Sequence, residues 1–154
     1  MFTHRHKKQS GFTLIELLMV TAIFAIIAIV SISSFAQYAR FQEYQRTVAE
    51  IAQVFVSVQA DAQVARFDEN HGVYLGTSSI TQFRGDQYDI SDTNNIVYNF
   101  ENIVISLALT AGVDEVRLEK VSGLPSATGN INIIGTNYEA TTTFSISPAG
   151  VIEY

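Results

Sequence analysis

The sequence predicts an α+β fold, in which one long N-terminal helix carries an antiparallel β-sheet head packed on its distal half. An apolar run covers residues 12–35, and an amphipathic pattern without Gly or Pro continues to about residue 67. Beyond it, β-branched residues alternate with turn signals. We therefore divide the 154 residues into a leader at 1–11, an apolar half-helix at 12–35, an amphipathic half-helix at 36–67 and a β-rich head at 68–154.

The apolar half-helix contains a single ionisable side chain, Glu16. A helix of this length extends about 36 Å, which is enough to cross a hydrocarbon core of about 30 Å. The basic residues Arg5, Lys7 and Lys8 precede it and predict that the N-terminus stays in the cytoplasm. The sequence thus predicts a single-pass transmembrane segment with the head outside the cytoplasm. A carboxylate inside such a segment requires a specific reason.

Several interpretations of this N-terminal region are open. A secretory signal cleaved near Ser31-x-Ser33 is one, although its apolar core is usually only about 7–15 residues long. A plain signal anchor is another, but it leaves Glu16 unexplained. A third possibility for Glu16 alone is a carboxylate that extends to the lipid headgroups.

Residues 10–17, Ser-Gly-Phe-Thr-Leu-Ile-Glu-Leu, resemble the cleavage and methylation signature of type IV prepilins and pseudopilins. The resemblance covers about the first 35 residues and implies a pilin-like fold in the bacterial inner membrane. It implies that prepilin peptidase, acting also as N-methyltransferase, cuts after Gly11. Phe12 then becomes the N-methylated first residue, and Glu16 becomes the fifth residue of the mature chain.

These roles agree with the physical chemistry of the residues. Glycine lets a backbone enter a protease cleft without a side-chain clash. Cleavage creates an α-amine, and both this cation and the Glu16 carboxylate are poorly solvated in lipid, so that pairing relieves both. If the amine belongs to a neighbouring subunit, the pair fixes the register of one N-terminal helix against the next. The partners expected are therefore inner-membrane lipid before assembly and other pilin or pseudopilin subunits afterwards.

One position departs from the family pattern. Many type IV pilins have a proline where this chain has Ser33, and Ser31 and Ser34 flank it. Serines can bend a helix by bonding to its carbonyls, but they do not break it as proline does. This difference favours a minor subunit or pseudopilin over a major pilin.

The amphipathic half-helix carries an apolar stripe at spacings of three and four residues. Its members are Phe41, Tyr44, Val48, Ile51, Phe55, Val58, Ala62 and Ala65. We expect this stripe to hold the head, and we expect the helix to end at about Phe67, before the stop signal at residues 68–72.

Eight short segments of the head are predicted strands of an antiparallel sheet. They are residues 73–75, 79–83, 96–100, 103–109, 115–121, 130–134, 142–147 and 151–154, with residues 148–150 as a closing hairpin turn. The order of these strand and turn motifs resembles the heads of GspH/FimT-type minor pseudopilins. This looser resemblance implies a helix with two antiparallel sheets.

The head offers no catalytic or cofactor-binding set, so we predict a protein that is not an enzyme and needs no cofactor. His71 is interpreted as a solvent-exposed loop histidine. Asp86, Asp89 and Asp92 are weak candidates for a calcium site, against the alternative of a solvated acidic loop.

The leading functional hypothesis is a structural, minor subunit of a type IV pilus or a type II secretion pseudopilus, which moves from the inner membrane into a periplasmic or extracellular filament. A competence pilin that binds DNA through its head is an alternative, and so is a membrane-anchored binding module or enzyme. Nucleic-acid binding is disfavoured because the region after residue 71 holds only Arg84, Arg117 and Lys120 against nine acidic residues.

Overall fold

The computed structural model describes residues 11–154, with only the backbone described for residues 30–34 and 111. Residues 1–10 of the predicted leader, with their basic cluster, lie outside the described residues. The side chains of Ser31, Ser33 and Ser34, on which the prediction about helix bending depends, lie outside them as well.

In the described part of the chain, one long helix is followed by a β-rich region. Helix α1 covers Leu14–Gln63. The strands are β1 His71–Leu75, β2 Ser79–Arg84, β3 Ile96–Asn99, β4 Ile103–Leu109, β5 Glu115–Leu118, β6 Gly129–Gly135, β7 Thr141–Ile146 and β8 Ile152–Glu153. This confirms the predicted α+β class and all eight predicted strands.

The α-helix ends four residues earlier than predicted. After Gln63 the chain forms a short 3₁₀ turn over Arg66–Asp68. Ala65, Phe67 and Asp68 all have positive φ angles between 48° and 61°. This left-handed backbone is incompatible with a continuing α-helix, so the helical pattern of the sequence extends beyond the helix itself.

The strands form two antiparallel sheets. One has the order β3-β2-β1-β5, and the other has the order β4-β6-β7-β8. The predicted hairpin at residues 148–150 joins β7 to β8, with Ile146 opposite Ile152. The Gly150 N–H donates to the Ser147 carbonyl at 3.0 Å and closes this turn.

The distal part of α1 packs into the core of the head. Six residues of the predicted stripe are buried there, namely Tyr44, Val48, Ile51, Phe55, Val58 and Ala62. They meet inward-facing residues of both sheets, including Val73, Ile131 and Phe144. The Tyr44 hydroxyl also donates to the Ile133 carbonyl at 3.0 Å. Since each large apolar side chain contributes about 1.5–3 kcal/mol when buried, this stripe holds the head together.

The chain divides into two compact units, Met1–Ala39 and Arg40–Tyr154. The second unit has the core described above. In the first unit, the described apolar side chains of α1 are exposed on successive turns, for example Leu14, Leu18 and Phe24. Over residues 11–154, no helix was found that combines the length and the apolarity needed to cross a membrane. It does not agree with the prediction that residues 12–35 form a transmembrane helix.

Candidate functional site

The N-terminal candidate residues surround the first turn of α1. The Glu16 N–H donates to the Thr13 hydroxyl at 3.3 Å, and the Leu17 N–H donates to the Thr13 carbonyl at 3.2 Å. Thr13 is therefore the N-cap, and Glu16 occupies the third helical position. Thr-x-x-Glu is the sequence signature of a capping box, and the sequence analysis missed this signal.

The position of Glu16 also has an electrostatic consequence. Its carboxylate lies in the first turn of α1, where the partial positive charge of the helix N-terminus favours an anion. The side chain is exposed and has no ion-pair partner among the described residues. Glu16 thus combines a local role at the helix start with a carboxylate that remains available to an outside partner.

Gly11 lies just before this turn, and none of the described residues packs against it. Among the described residues, a Cβ added at Gly11 meets no atom within 4 Å. The neighbouring Phe12 side chain is 83% exposed. Packing among residues 11–154 therefore does not explain a glycine followed by a phenylalanine here.

The comparisons with known proteins include a match to a family model. Residues 6–32 match the family model described as the prokaryotic N-terminal methylation motif. This match supports the type IV prepilin and pseudopilin superfamily, whose motif is a prepilin peptidase substrate signal. It indicates a structural, pilin-like protein, and it implies anchoring in the inner membrane followed by assembly with other pilins. The search of curated proteins and the search of solved structures found no significant match.

In the head, the prediction for His71 is wrong. The sequence analysis places it in an exposed loop, whereas the structure places it as the first residue of β1, with 1% of its surface exposed. It pairs with Arg84 on one side and Leu118 on the other. The reason is that β1 begins two residues earlier than predicted. His71, Val73 and Leu75 then alternate on the buried face.

The three aspartates considered for calcium are engaged separately. Asp86 accepts a hydrogen bond from Asn70 at 2.6 Å. Asp89 accepts from the Ser91 hydroxyl at 2.6 Å and from its N–H at 2.8 Å. Asp92 accepts hydrogen bonds from the Asn94 N–H and from the Asn94 side-chain amide, both at 2.8 Å. Among residues 11–154, no group of three or more His, Cys, Asp or Glu residues is arranged to hold a metal ion.

The two bonds from Ser91 change the titration of Asp89. Its pKa lies below the ordinary value of 3.8, because the Ser91 hydroxyl and then the Ser91 N–H stabilise the carboxylate. These contacts form an Asx turn, which is a common local structure of loops. The hydrogen bonds of Asp89 therefore stabilise the conformation of its own loop.

The three basic residues of the head have different neighbours. Arg117 lies 3.9 Å from Asp86, and Lys120 lies 3.0 Å from Asp68. The Arg84 guanidinium lies 4.3 Å from the centre of the Phe67 ring. Two of the three charges are thus already paired with carboxylates of the same head, which weakens the electrostatic basis for binding nucleic acid.

A cavity of about 200 Å³ lies beside the end of α1. Its walls come from the helix end, the 3₁₀ turn, the first two strands, the loop before β3 and the start of β3. They are formed by Asp61, Arg66, Phe67, His71, Gln82, Arg84, Asn94 and Ile96. This cavity is not predictable from the sequence alone, because its residues are distributed over 36 positions and meet only in the folded head.

Proposed function

We propose that this protein is a non-catalytic, minor structural subunit of a type IV pilus or a type II secretion pseudopilus. The observation that carries the proposal is the methylation motif at residues 6–32, which continues into exposed apolar turns of α1. Exposed apolar surface of this extent is typical of an interaction surface. In this proposal, neighbouring subunits cover it after assembly from the inner membrane.

Gly11 supports the processing step of this proposal. Because no residue of 11–154 occupies the space that a side chain at Gly11 would need, an external requirement explains the glycine better. A protease cleft that admits the backbone only without a side chain is such a requirement. In this proposal prepilin peptidase cuts between Gly11 and Phe12 and then methylates the new amine of Phe12.

Glu16 supports the assembly step. Its carboxylate lies one turn inside the mature N-terminus, with no ion-pair partner among the described residues. The amine of Phe12 in an adjacent subunit supplies the missing positive charge. Because a carboxylate that loses its partner in an apolar environment is strongly destabilised, subunits pack only in the register that makes this pair.

The head supports the minor-subunit part of the proposal. Its two antiparallel sheets around the end of α1 agree with the arrangement expected for GspH/FimT-type pseudopilins. Such a head would lie at or near a filament tip.

Mass spectrometry of the protein purified from its native host tests the proposal directly. We expect a chain that begins with N-methylated Phe12. Gly11→Arg should leave the full-length precursor in the membrane, because a long cationic side chain cannot enter the cleft. Gly11→Ala is the matched control, since it adds only one methyl group, and a substantial part of it should still be cleaved. A native protein that retains residues 1–11 would contradict the proposal.

A further inference from the structure

Strand β3 forms one edge of its sheet, and its inner side pairs with β2. The Phe100 N–H, directly after β3, donates to the Ser78 carbonyl at 2.9 Å and so points towards β2. Because successive backbone groups of a strand point to opposite sides, the N–H and C=O groups of Val97 and Asn99 point away from β2. Within residues 11–154, no hydrogen bond reaches these groups. The outer side of β3 is therefore an unpaired backbone edge.

The other sheet edges differ from β3. In β5, the Arg117 N–H donates to the Ser126 hydroxyl at 3.0 Å, and the Ser126 N–H donates to the Arg117 carbonyl at 2.7 Å. In β4, the Ile105 N–H donates to the Thr77 carbonyl at 2.7 Å, and β8 offers only two residues. Proteins commonly protect exposed edges with lysine, proline or a covering segment. Among the described residues, β3 has none of these protections, and Val97 is 54% exposed.

A groove of about 240 Å³ lies between α1 and β3. Its walls are Glu50, Gln53, Val54 and Ser57 of α1 and Tyr98 of β3. Val54 belongs to the core and Tyr98 packs against it, so these two side chains give the groove an apolar floor. Glu50 is exposed and has no ion-pair partner among the described residues. A strand added beside β3 would place every second side chain on the α1 side, where this groove lies.

The charge around the edge of β3 is negative. Residues 85–101, which contain β3 and its flanking loops, include no Lys or Arg but hold the acidic residues Asp86, Asp89, Asp92 and Glu101. The carboxylates of Asp89 and Asp92 accept hydrogen bonds from uncharged groups, so their charges are not compensated by them. A second copy of this chain, paired edge to edge, would bring two acidic segments together. A basic segment is complementary to this surface instead.

We propose that the outer edge of β3 binds an extended, basic segment of a partner protein as an additional antiparallel strand. The backbone of the segment pairs with the free groups of Val97 and Asn99. A lysine or arginine on the α1 side lays its alkyl stem over Val54 and Tyr98 and brings its charge to Glu50. In strand addition of this kind, main-chain hydrogen bonds provide the affinity and side-chain pockets provide the specificity.

Fluorescence anisotropy of labelled peptides, titrated with the full chain in detergent, tests the charge preference. The probe is the peptide Thr-Val-Thr-Lys-Thr-Val-Thr, for which we expect saturable binding that weakens with added salt. Glutamate in place of the lysine should weaken binding at least about tenfold, because a like charge then meets Glu50. Equal binding of the two peptides, or no saturation with the lysine peptide, would overturn the proposal. The surface lies within Arg40–Tyr154, so this result does not depend on the proposed roles of Gly11 and Glu16.

N-methylated forms of the same peptide test the backbone pairing. With the lysine on the α1 side of an antiparallel strand, the N–H groups of the two threonines beside it face β3, and those of the two valines face away. Methylation of the two threonine nitrogens should therefore weaken binding at least about tenfold, because two main-chain hydrogen bonds are lost. Methylation of the two valine nitrogens is the matched control and should change the affinity less than about twofold. Equal losses, or the reverse order, contradict strand addition.

Two glutamate variants test the assigned charge contact. Glu50→Gln should weaken binding of the lysine peptide about fivefold, which is the loss expected for one exposed ion pair. Glu139→Gln makes the same change in net charge at an exposed position outside the groove, and it should bind as the wild type does. Wild-type affinity in Glu50→Gln, or an equal loss in Glu139→Gln, refutes the contact.

Amide hydrogen exchange followed by NMR locates the bound peptide. Saturation with the lysine peptide should slow exchange of the Val97 and Asn99 amides at least about tenfold, because both become hydrogen-bonded. Unchanged exchange at these two amides would exclude binding at this edge. Protection that appears without peptide and increases with protein concentration would show that a second copy occupies the edge, and it would overturn the proposal.

Discussion

Glu16 shows how a single residue can serve two purposes. Its backbone N–H is capped by the Thr13 hydroxyl at 3.3 Å, so the residue helps to begin α1. Its carboxylate has no ion-pair partner among the described residues and is proposed to pair with the amine of a neighbouring subunit. The capping contact uses only the backbone N–H of Glu16, whereas the pairing role needs the charge of its side chain. The two roles can therefore be separated by substitution.

Glu16→Gln removes the charge but keeps a side chain that suits the third position of a capping box. We expect normal cleavage after Gly11 and incorporation into filaments reduced about tenfold or more, because the partner amine is left uncompensated. Thr13→Ala is the control, since it weakens the cap by about 1 kcal/mol and preserves the charge. Immunoblots of sheared filaments and of membranes measure both steps. Wild-type incorporation of Glu16→Gln would show that charge pairing does not drive assembly.

Asp89 provides a prediction in the head. Because its pKa is lowered in the folded chain, its contacts stabilise the loop above the unfolded pKa, and this contribution is lost as the pH falls through the folded value. Ser91→Ala removes the stronger of the two bonds, so the pKa of Asp89 should rise towards 3.8. Carboxyl NMR titration measures the shift. Ser145→Ala, an exposed position on β7, should leave the pKa unchanged, and an unchanged pKa in Ser91→Ala would refute the assignment.

The burial of His71 could not be predicted from its neighbours in the sequence. A histidine before Gly72 and after a polar stretch has the local composition of a loop, and so it was predicted to be exposed. Its burial depends on β1 pairing with both β2 and β5, and these contacts lie 13 and 47 residues away in the sequence. The cavity that His71 lines was missed for the same reason. By contrast, Gly11, Phe12 and Glu16 form one contiguous motif, which could be read without the fold.

At the scale of elements, the sequence predicted the strands well because their signals are local. Runs of β-branched residues between turn signals placed all eight strands, with ends that differ by up to three residues. The assignment of strands to two sheets was implied only by the looser family resemblance, since alternation within a strand does not identify its neighbour. The end of α1 was predicted too late. Its helical periodicity continues through Ala65, where the backbone has already turned left-handed.

Ala65 supports a prediction about this helix end. It has a φ of 48°, a conformation that glycine adopts without steric cost. Ala65→Gly should therefore stabilise the head by about 1 kcal/mol, as followed by urea unfolding. Ala60→Gly is the matched control, because Ala60 is exposed within α1 and glycine should cost about 1 kcal/mol there. If both variants lose stability equally, the helix continues through Ala65 in solution.

At the scale of the whole molecule, the two units use apolar residues in opposite ways. In Arg40–Tyr154, apolar residues of α1 are buried against the sheets of the same chain. In Met1–Ala39, the described apolar residues of α1 remain exposed. Residues of α1 thus contribute to an internal core in the second unit and offer uncovered apolar surface in the first. This division fits a subunit whose stability and assembly depend on different residues.

Two substitutions in α1 test this division. Ile51 is fully buried, so Ile51→Ala should destabilise the head by about 2–5 kcal/mol in urea unfolding. Phe24 is 67% exposed, so Phe24→Ala should change the stability of the head by less than about 0.5 kcal/mol. It should nevertheless reduce incorporation into filaments, because the lost ring belongs to the surface that neighbouring subunits are proposed to cover. If Phe24→Ala unfolds the head or assembles normally, the separation of the two functions along α1 is wrong.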